Sequence, residues 1–315
     1  MSLSHAYASP PPVEEAQAIL LKALDLGVNF FDTAALYGFG ANETLVGRVL
    51  KPHRSRVVLA SKCGMTGVDG KRVIDGRPET IKRTCIESLR RLQTDVIDLY
   101  YLHRWDREVP IEDSVGAMAD LVKQGLVRAI GLSEVSAATV HKAHAVHPIA
   151  AVQSEYSLWT REPEIAVLAA CRQLGIAFVA FSPLGRGFLT GAIQDPAAFE
   201  ARDIRRGMPR FYADNFARNL ALLTGLTELA NDAKCSPAQL ALAWLLAKSS
   251  TNSCEIIPIP GTTNLDHLSE NVASQQLQVN AASLAAAEQL INHTTVAGAR
   301  YNDATQKEID TEMFS

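Results

Sequence analysis

One pattern recurs along the chain: apolar residues at three- and four-residue spacing, then a glycine, then a short run dense in β-branched and aromatic residues. It is plain at ALDLG-VNFFDTA around Gly27, LVKQG-LVRAIGLS around Gly125 and CRQLG-IAFVAFSP around Gly175. The first part of the unit is one apolar face of a helix. A glycine just past the helix end takes the left-handed conformation at little steric cost, and the run that follows is an extended strand. These runs are nearly continuous in apolar residues rather than alternating, as in parallel strands covered by helices. The pattern predicts strands at 28–33, 57–62, 97–103, 127–132, 150–155, 177–182 and 255–260. Helices are predicted at 13–26, 43–50, 78–92, 111–124, 136–146, 163–174, 216–232, 236–248 and 264–273.

The helix starts agree with this reading. Ser236, Pro237 and Gln239 form an N-cap, a first-turn proline and a capping-box partner. Pro12, Glu14 and Glu15 place a permitted proline and two carboxylates where the helix dipole favours negative charge. Seven βα units predict an α/β protein of the (β/α)8 barrel class, occupying 1–315 as a single domain. The first helix begins near Val13 and leaves only Met1 to Tyr7 to supply the remaining barrel strand, so that strand is expected to be truncated or a stub. Either residues 1–4 pair as that stub, or the natural chain starts upstream of Met1; the second is preferred. The stretch from Gly185 to Phe216, rich in Arg, Gly and Pro, reads as a long functional loop.

Composition narrows the class. The 315 residues carry 30 Lys+Arg against 34 Asp+Glu, a net charge of −4, which gives no support to a nucleic-acid or anionic-membrane partner. Apolar stretches such as Gln239 to Ala247 fall well short of a membrane span. The N-terminus has no cationic segment leading into an apolar core. Five scattered cysteines lack metal-ligand spacing, so no metal site is expected and a reduced, cytoplasmic setting fits. No self-complementary apolar stripe stands out, and oligomeric state is not legible.

The active end of such a barrel is where its strands finish. Asp32 (NFFDTA), Lys62 (VVLASK) and His103 (DLYYLH) all lie there, with Tyr37 in the loop five residues after Asp32. A single His or Lys at a strand end is more often structural; four titratable groups on one rim point to chemistry. Free tyrosine, with a pKa of about 10, is a weak acid at neutral pH. A nearby ammonium lowers that value, and Asp32 keeps the Lys62 ammonium charged despite burial. His103 orients a carbonyl oxygen or relays a proton. This is equipment for polarising and protonating a carbonyl, and it needs a reduced cofactor to supply hydride.

FFDTAALYGFGANETLVG, LASKCG, DVIDLYYLHR, IGLSEVS, VQSEYSLW, FSPLGRGFLTG and IPGTTNLDHLSEN resemble the segments of an aldo-keto reductase, in the branch of pyridoxal reductase-like and perakine reductase-like enzymes. The likeness runs from about Ser4 to Asn271. It implies an NADP-dependent oxidoreductase that reduces aldehydes and some ketones, small carbonyl compounds, to alcohols. Tyr37 would then be the general acid, with Lys62, Asp32 and His103 completing a tetrad. The resemblance also assigns Ser133 and Gln153 to the nicotinamide carboxamide and Phe181 to stacking on the nicotinamide ring. Ser182, Pro183, Leu184 and Gly185 would line the pyrophosphate path. Ile259, Pro260, Gly261, Thr262, Thr263, His267, Glu270 and Asn271 would flank the adenosine.

Three departures qualify the likeness. No permanent cation sits in Gly261–Asn264, which leaves NADH open beside NADPH; Arg205, Arg206 or Arg210 in the long loop would supply charge for a 2′-phosphate. Glu134 follows Ser133 where many relatives have Asn or a basic residue, and the opening hairpin and full first strand are missing. For the substrate, Arg104, Trp105, Trp159, Phe211 and Tyr212 are expected to wall the mouth, Trp159 alternatively as core filler. Such a pocket discriminates small aldehydes loosely. Two other functions keep the same residues: a nucleotide-sensing regulatory module resembling a potassium-channel β subunit, and a Schiff-base lyase on Lys62. The latter needs a neutral amine, against the effect of Asp32. Cys63, beside Lys62, is read as a small buried residue rather than a reactive thiol.

Overall fold

A computed structural model describes residues 1–4, 6–7, 9–68, 71–252 and 254–314. In chain order the strands are β1 (Phe30–Asp32), β2 (Val58–Cys63), β3 (Met65–Val68), β4 (Lys71–Ile74), β5 (Ile97–Leu102), β6 (Val127–Ser133), β7 (Ile149–Glu155), β8 (Ala177–Phe181) and β9 (Ile256–Ile259). The helices are α1 (Val13–Asp25), α2 (Ala41–Leu50), α3 (Pro78–Leu92), α4 (Ile111–Lys123), α5 (Ala137–Val146), α6 (Val167–Leu174), α7 (Ala213–Asp232), α8 (Pro237–Asn252), α9 (Leu265–Ala273), α10 (Ala281–Leu290) and α11 (Asp303–Gln306). Seven strands pair in parallel in the order β1-β2-β5-β6-β7-β8-β9, with helices between them, and curl into a nearly closed barrel.

The predicted helix–glycine–strand units are present. Gly27, Gly125 and Gly175 take φ of 87°, 74° and 67°, the left-handed exit that only glycine adopts cheaply. Ser236 and Gln239 form the expected reciprocal cap, with both hydrogen bonds at 3.2 Å. Two apolar layers result. Ala60, Leu99, Tyr101, Ala151 and Val179 fill the barrel interior, and a larger layer that includes Trp244, Tyr156 and Leu226 separates barrel from helices.

The barrel departs from expectation at its seam. Met1–Ser4 is a turn closed by Ser4 N donating to Met1 O at 3.0 Å, not a stub strand, so β1 and β9 end the sheet without pairing to it. Ser4 Oγ instead accepts from Asn42 Nδ2 at 2.8 Å, and Asn42 Oδ1 accepts from Thr33 Oγ1 at 2.7 Å, which pins the turn beside the end of β1. The helix layer bridges the seam, because α1 packs against both α2 and α9.

Other differences are local. The predicted helix at 163–174 splits into a 3-10 turn at Glu162–Glu164 and α6, because Ala166 leaves helical geometry at φ −151°. The long loop holds four short 3-10 turns before α7. The antiparallel hairpin β3–β4 and helices α10 and α11 had no counterpart in the sequence reading. Beyond α10 the chain returns over the end of the barrel where the strands finish, and Asp310 accepts there from Ser136 Oγ at 2.8 Å and from Thr139 Oγ1 at 2.6 Å. Among the described residues no helix is long and apolar enough to cross a membrane.

Candidate active site

Asp32 closes β1, Lys62 is the penultimate residue of β2, and His103 follows β5, so parallel registry alone brings the three to one rim. The Lys62 side chain is 0% exposed; its Nζ contacts Asp32 Oδ1 and donates to Thr33 O at 2.9 Å. The other Asp32 oxygen accepts from Gln153 Nε2 at 2.9 Å. Tyr37 stands in a loop bent by Gly38, Phe39 and Gly40, all at positive φ. Lys62 Nζ lies 5.2 Å from the centre of the phenol ring. The His103 ring meets the same phenol edge-on, with centroids 5.8 Å apart.

The electrostatics follow from burial and pairing. Burial alone would discharge Lys62, but Asp32, and after it Tyr37, more than offset that penalty and hold the ammonium above its ordinary value. A Schiff-base role, which needs a neutral amine, is disfavoured by this pairing. The Tyr37 phenol differs from the sequence reading. Its pKa is raised, because burial outweighs the lowering by Lys62; Asp32 adds to the rise, and Arg104 opposes it. Cys63 is inert: burial pushes its thiol up, and Sγ donates to Tyr101 O at 3.4 Å.

The residues assigned to a cofactor line the adjacent arc. Ser133 and Gln153 are register partners across β6 and β7, and Phe181 and Ile259 are partners across β8 and β9. Between them Ser182, Gly185, Arg186 and Gly187 take φ of 47°, 56°, 57° and 93°, folding the segment that includes Pro183 and Leu184 into a tight concave loop. A Cβ on Gly185 would meet the Trp159 ring at 2.9 Å, so a side chain is excluded there. Beyond β9, Gly261, Thr262 and Thr263 lead into Asn264, whose Oδ1 accepts from the amides of Asp266 and His267 at the start of α9. His267 faces solvent on the first turn of α9, and Glu270 and Asn271 follow one turn later. A helix start and a concave backbone segment flanking paired amide and hydroxyl groups fit a dinucleotide.

Several expected residues have other work. Arg210 is buried, and its guanidinium holds Trp159 O, Thr160 Oγ1 (2.9 Å) and Gly298 O (3.2 Å), so it is committed to two protein carbonyls and a hydroxyl rather than to a phosphate. Arg205 is forked onto Asp203 at 2.9 and 2.6 Å, and Arg206 donates to Phe199 O at 3.0 Å. Trp159 and Phe211 do not wall the mouth. Trp159 is 2% exposed and stacks on Phe188 at 4.0 Å, and Phe211 meets it edge-on at 5.3 Å, in a packed aromatic cluster. Tyr212 lies outside, 45% exposed at the start of α7. Of the four aromatics Trp105 alone stays beside the catalytic rim, its Nε1 donating to Val109 O at 2.9 Å.

Sequence reasoning missed an ionic belt behind this site. Glu134, in the left-handed region at φ 57°, is bound to Arg300 and accepts from the Glu155 amide at 3.0 Å. Glu155 pairs with Arg186 at 2.6 Å and has Arg300 Nε at 3.5 Å. Arg186 also donates to Tyr301 Oη at 2.8 Å. These pairs join residues next to Ser133 and Gln153 to the concave loop and to the returning C-terminal segment.

The Aldo/keto reductase family profile matches residues 1–292. The chain belongs to this family. This aldo/keto reductase is 42% identical over 304 residues to the NADP(+) aldo-keto reductase yakc of Schizosaccharomyces pombe, covering 94% of the chain and 88% of that protein. It is 40% identical over 307 residues to probable aldo-keto reductase 1 of Glycine max, covering 96% and 86%. Among solved structures, the glycerol dehydrogenase of Gluconobacter oxydans superimposes with a TM-score of 0.83 at 27% identity, over 98% of this chain and 92% of that one. The holo form of a Bacillus halodurans aldo-keto reductase gives 0.74 at 26% identity, over 96% and 94%.

Proposed function

We propose that the protein reduces aldehydes and some ketones to alcohols with NADPH, and that Tyr37 is the proton donor. The observation that carries this is the chain of contacts from the Asp32 carboxylate through the Lys62 ammonium to the Tyr37 phenol, with the His103 ring against that phenol. When bound, the reduced nicotinamide supplies the hydride that the side chains lack. Ser133 and Gln153 would hold its carboxamide and Phe181 its ring face. Ser182 to Gly185 would take the pyrophosphate on backbone amides, and Ile259 to Asn271 the adenosine end. The name of yakc, with NADP(+), supports the phosphorylated cofactor, although the three arginines of the long loop are tied to protein groups.

As the carbonyl oxygen gains negative charge, the phenol oxygen of Tyr37 releases its proton to it. The resulting phenolate sits against the Lys62 ammonium, which Asp32 keeps protonated. His103 orients the carbonyl oxygen by donating a hydrogen bond. One carbonyl, one hydride and one proton give one alcohol. Consumption of NADPH by a simple aldehyde tests the reading, and Tyr37→Phe is expected to lower kcat by about 10²–10⁴-fold, the usual worth of a positioned acid. Equal rates for parent and variant would remove Tyr37 from its role. Cofactor binding without turnover on any carbonyl would remove the reductase assignment. Titration of protein fluorescence with NADPH and NADH separately decides the 2′-phosphate preference.

A further inference from the structure

Four arginines crowd the catalytic rim, and three have a carboxylate. Arg186 pairs with Glu155 at 2.6 Å, Arg300 is bound to Glu134, and Arg210 has Glu162 at 3.9 Å. Arg104 is the fourth. It follows His103 directly, is part-buried, and its Nη1 donates to His103 O at 2.6 Å and to Ser133 Oγ at 3.4 Å, both neutral acceptors. Among the described residues no carboxylate lies within ion-pair distance of it, and its Nε and Nη2 make no hydrogen bond to protein. Glu308, whose field reaches it, is bound to Arg72 on the β3–β4 hairpin. The Lys62 charge is already met by Asp32. Of these four guanidiniums, Arg104 alone has no carboxylate partner among the described residues.

A guanidinium withdrawn from water without a counter-ion is unfavourable, and it stays charged across the working range. An arriving anion relieves that cost. The cofactor phosphates do not supply it: their assigned residues follow β8 and β9, whereas Arg104 follows β5, three strands away round the sheet. The uncharged carboxamide assigned to Ser133 does not supply it either. We infer that Arg104 is a carboxylate receptor, and that the preferred substrates are carbonyl compounds bearing a carboxylate a few bonds from the reacting carbon. This rests on the reductase reading above. The Nε–Nη2 edge presents the planar fork that matches a carboxylate in two-point contact. His103, the residue before Arg104, touches the Tyr37 ring, so acid and receptor lie within reach of one short molecule.

The test compares matched pairs, succinic semialdehyde with butanal and 4-carboxybenzaldehyde with benzaldehyde, by kcat/KM with NADPH. The parent is expected to favour the charged member by about tenfold or more, the scale of one charge-assisted contact. Arg104→Gln is expected to reduce that ratio by about tenfold, and Arg104→Lys to retain part of it, keeping the charge without the fork. A parent ratio near one, or a parent ratio kept in Arg104→Gln, overturns the inference. Binding gives a second readout: benzoate and benzamide are titrated into the NADPH-loaded protein. Benzoate is expected to bind about tenfold more weakly to Arg104→Gln with benzamide unaffected; equal benzoate affinity overturns the receptor. Arg104→Lys serves both assays if the Gln variant fails to fold. Failure of all four aldehydes to consume NADPH sinks the reductase reading, while the benzoate titration still decides Arg104. Turnover without charge preference sinks the receptor alone.

Discussion

Replacing Asp32 with Asn isolates what the carboxylate does, because the side chain keeps its shape and loses its charge. The carboxamide oxygen of the variant still accepts from Lys62, and Gln153 turns its amide so that its oxygen faces the new NH₂ group. The attraction between unit charges about 4 Å apart at an effective dielectric of about 20 is about 4 kcal/mol, or about three pKa units. Lys62, now raised, would lose its main support, leaving burial opposed by Tyr37 alone, and its amine would lose its charge at lower pH. Asp32 also raises the Tyr37 phenol, so its removal moves both groups in the same direction. The proposed mechanism needs a protonated phenol and a charged amine, and both are lost as pH rises. The alkaline limb of kcat in Asp32→Asn is therefore expected about two to three units below that of the parent, with the smaller loss of rate at the acid end. The assay is kcat against pH from about 6 to 10 at saturating NADPH and aldehyde, the limb being read as a property of the Tyr37–Lys62 pair. An unmoved limb, with a rate loss uniform in pH, would refute the argument that Asp32 works by holding Lys62 charged.

Arg300→Met leaves Glu134 buried without its partner and is expected to cost about 3–5 kcal/mol in urea unfolding, with Glu134→Gln added in the same chain recovering part of the loss. Trp159→Ala empties the centre of a stacked cluster and is expected to cost about 3–5 kcal/mol by the same measurement, while the KM of a small aldehyde in the folded fraction changes little. Glu288 is held down to about 2: burial raises it, and Lys248, Trp244 and Arg161 together outweigh that effect. A depressed carboxylate contributes stability above its unfolded pKa of about 4.3, and the contribution fades as pH falls through about 2. Melting of Glu288→Gln followed by circular dichroism is expected below the parent at pH 7, with the gap closing toward pH 2; a gap independent of pH would contradict this.

The parallel strands were legible because most bury both faces and so spell a nearly continuous apolar run, and three of them, β1, β6 and β8, follow a left-handed glycine. Their ends gave Asp32, Lys62 and His103, since strand registry converts three distant motifs into one rim. The β3–β4 hairpin left no such trace: a two-stranded ribbon with exposed Lys71, Arg72 and Val73 has no core to demand a pattern. The ionic belt was invisible for another reason. Glu134 and Arg300 lie 166 positions apart, and no local spacing marks a pair made only when the C-terminal segment crosses the barrel end. The aromatics misled because local sequence does not say whether a ring faces a mouth or its neighbours; Trp159 and Phe211 satisfy each other and Phe188.

The raised phenol bears on how the tetrad works. A ground-state acid activated by its ammonium would have a lowered pKa, and Tyr37 does not, because burial outweighs the Lys62 field and Asp32 cancels part of that field before any charge moves. In the proposed role of general acid, Tyr37 would change from neutral to anionic while the substrate oxygen changes from incipient alkoxide to hydroxyl. The Lys62–phenolate attraction, about 4 kcal/mol at about 4 Å and an effective dielectric of about 20, is then realised as the proton leaves and not before. A neutral phenol that resists ionisation until a developing alkoxide draws its proton does not lose that proton to water between turnovers. The pairing of Lys62 with Asp32 is thus compatible with a high resting pKa: it keeps the cation in place for an anion that exists only after transfer. On this view, the alkaline limb of Asp32→Asn measures how firmly that cation is held rather than how acidic the resting phenol is.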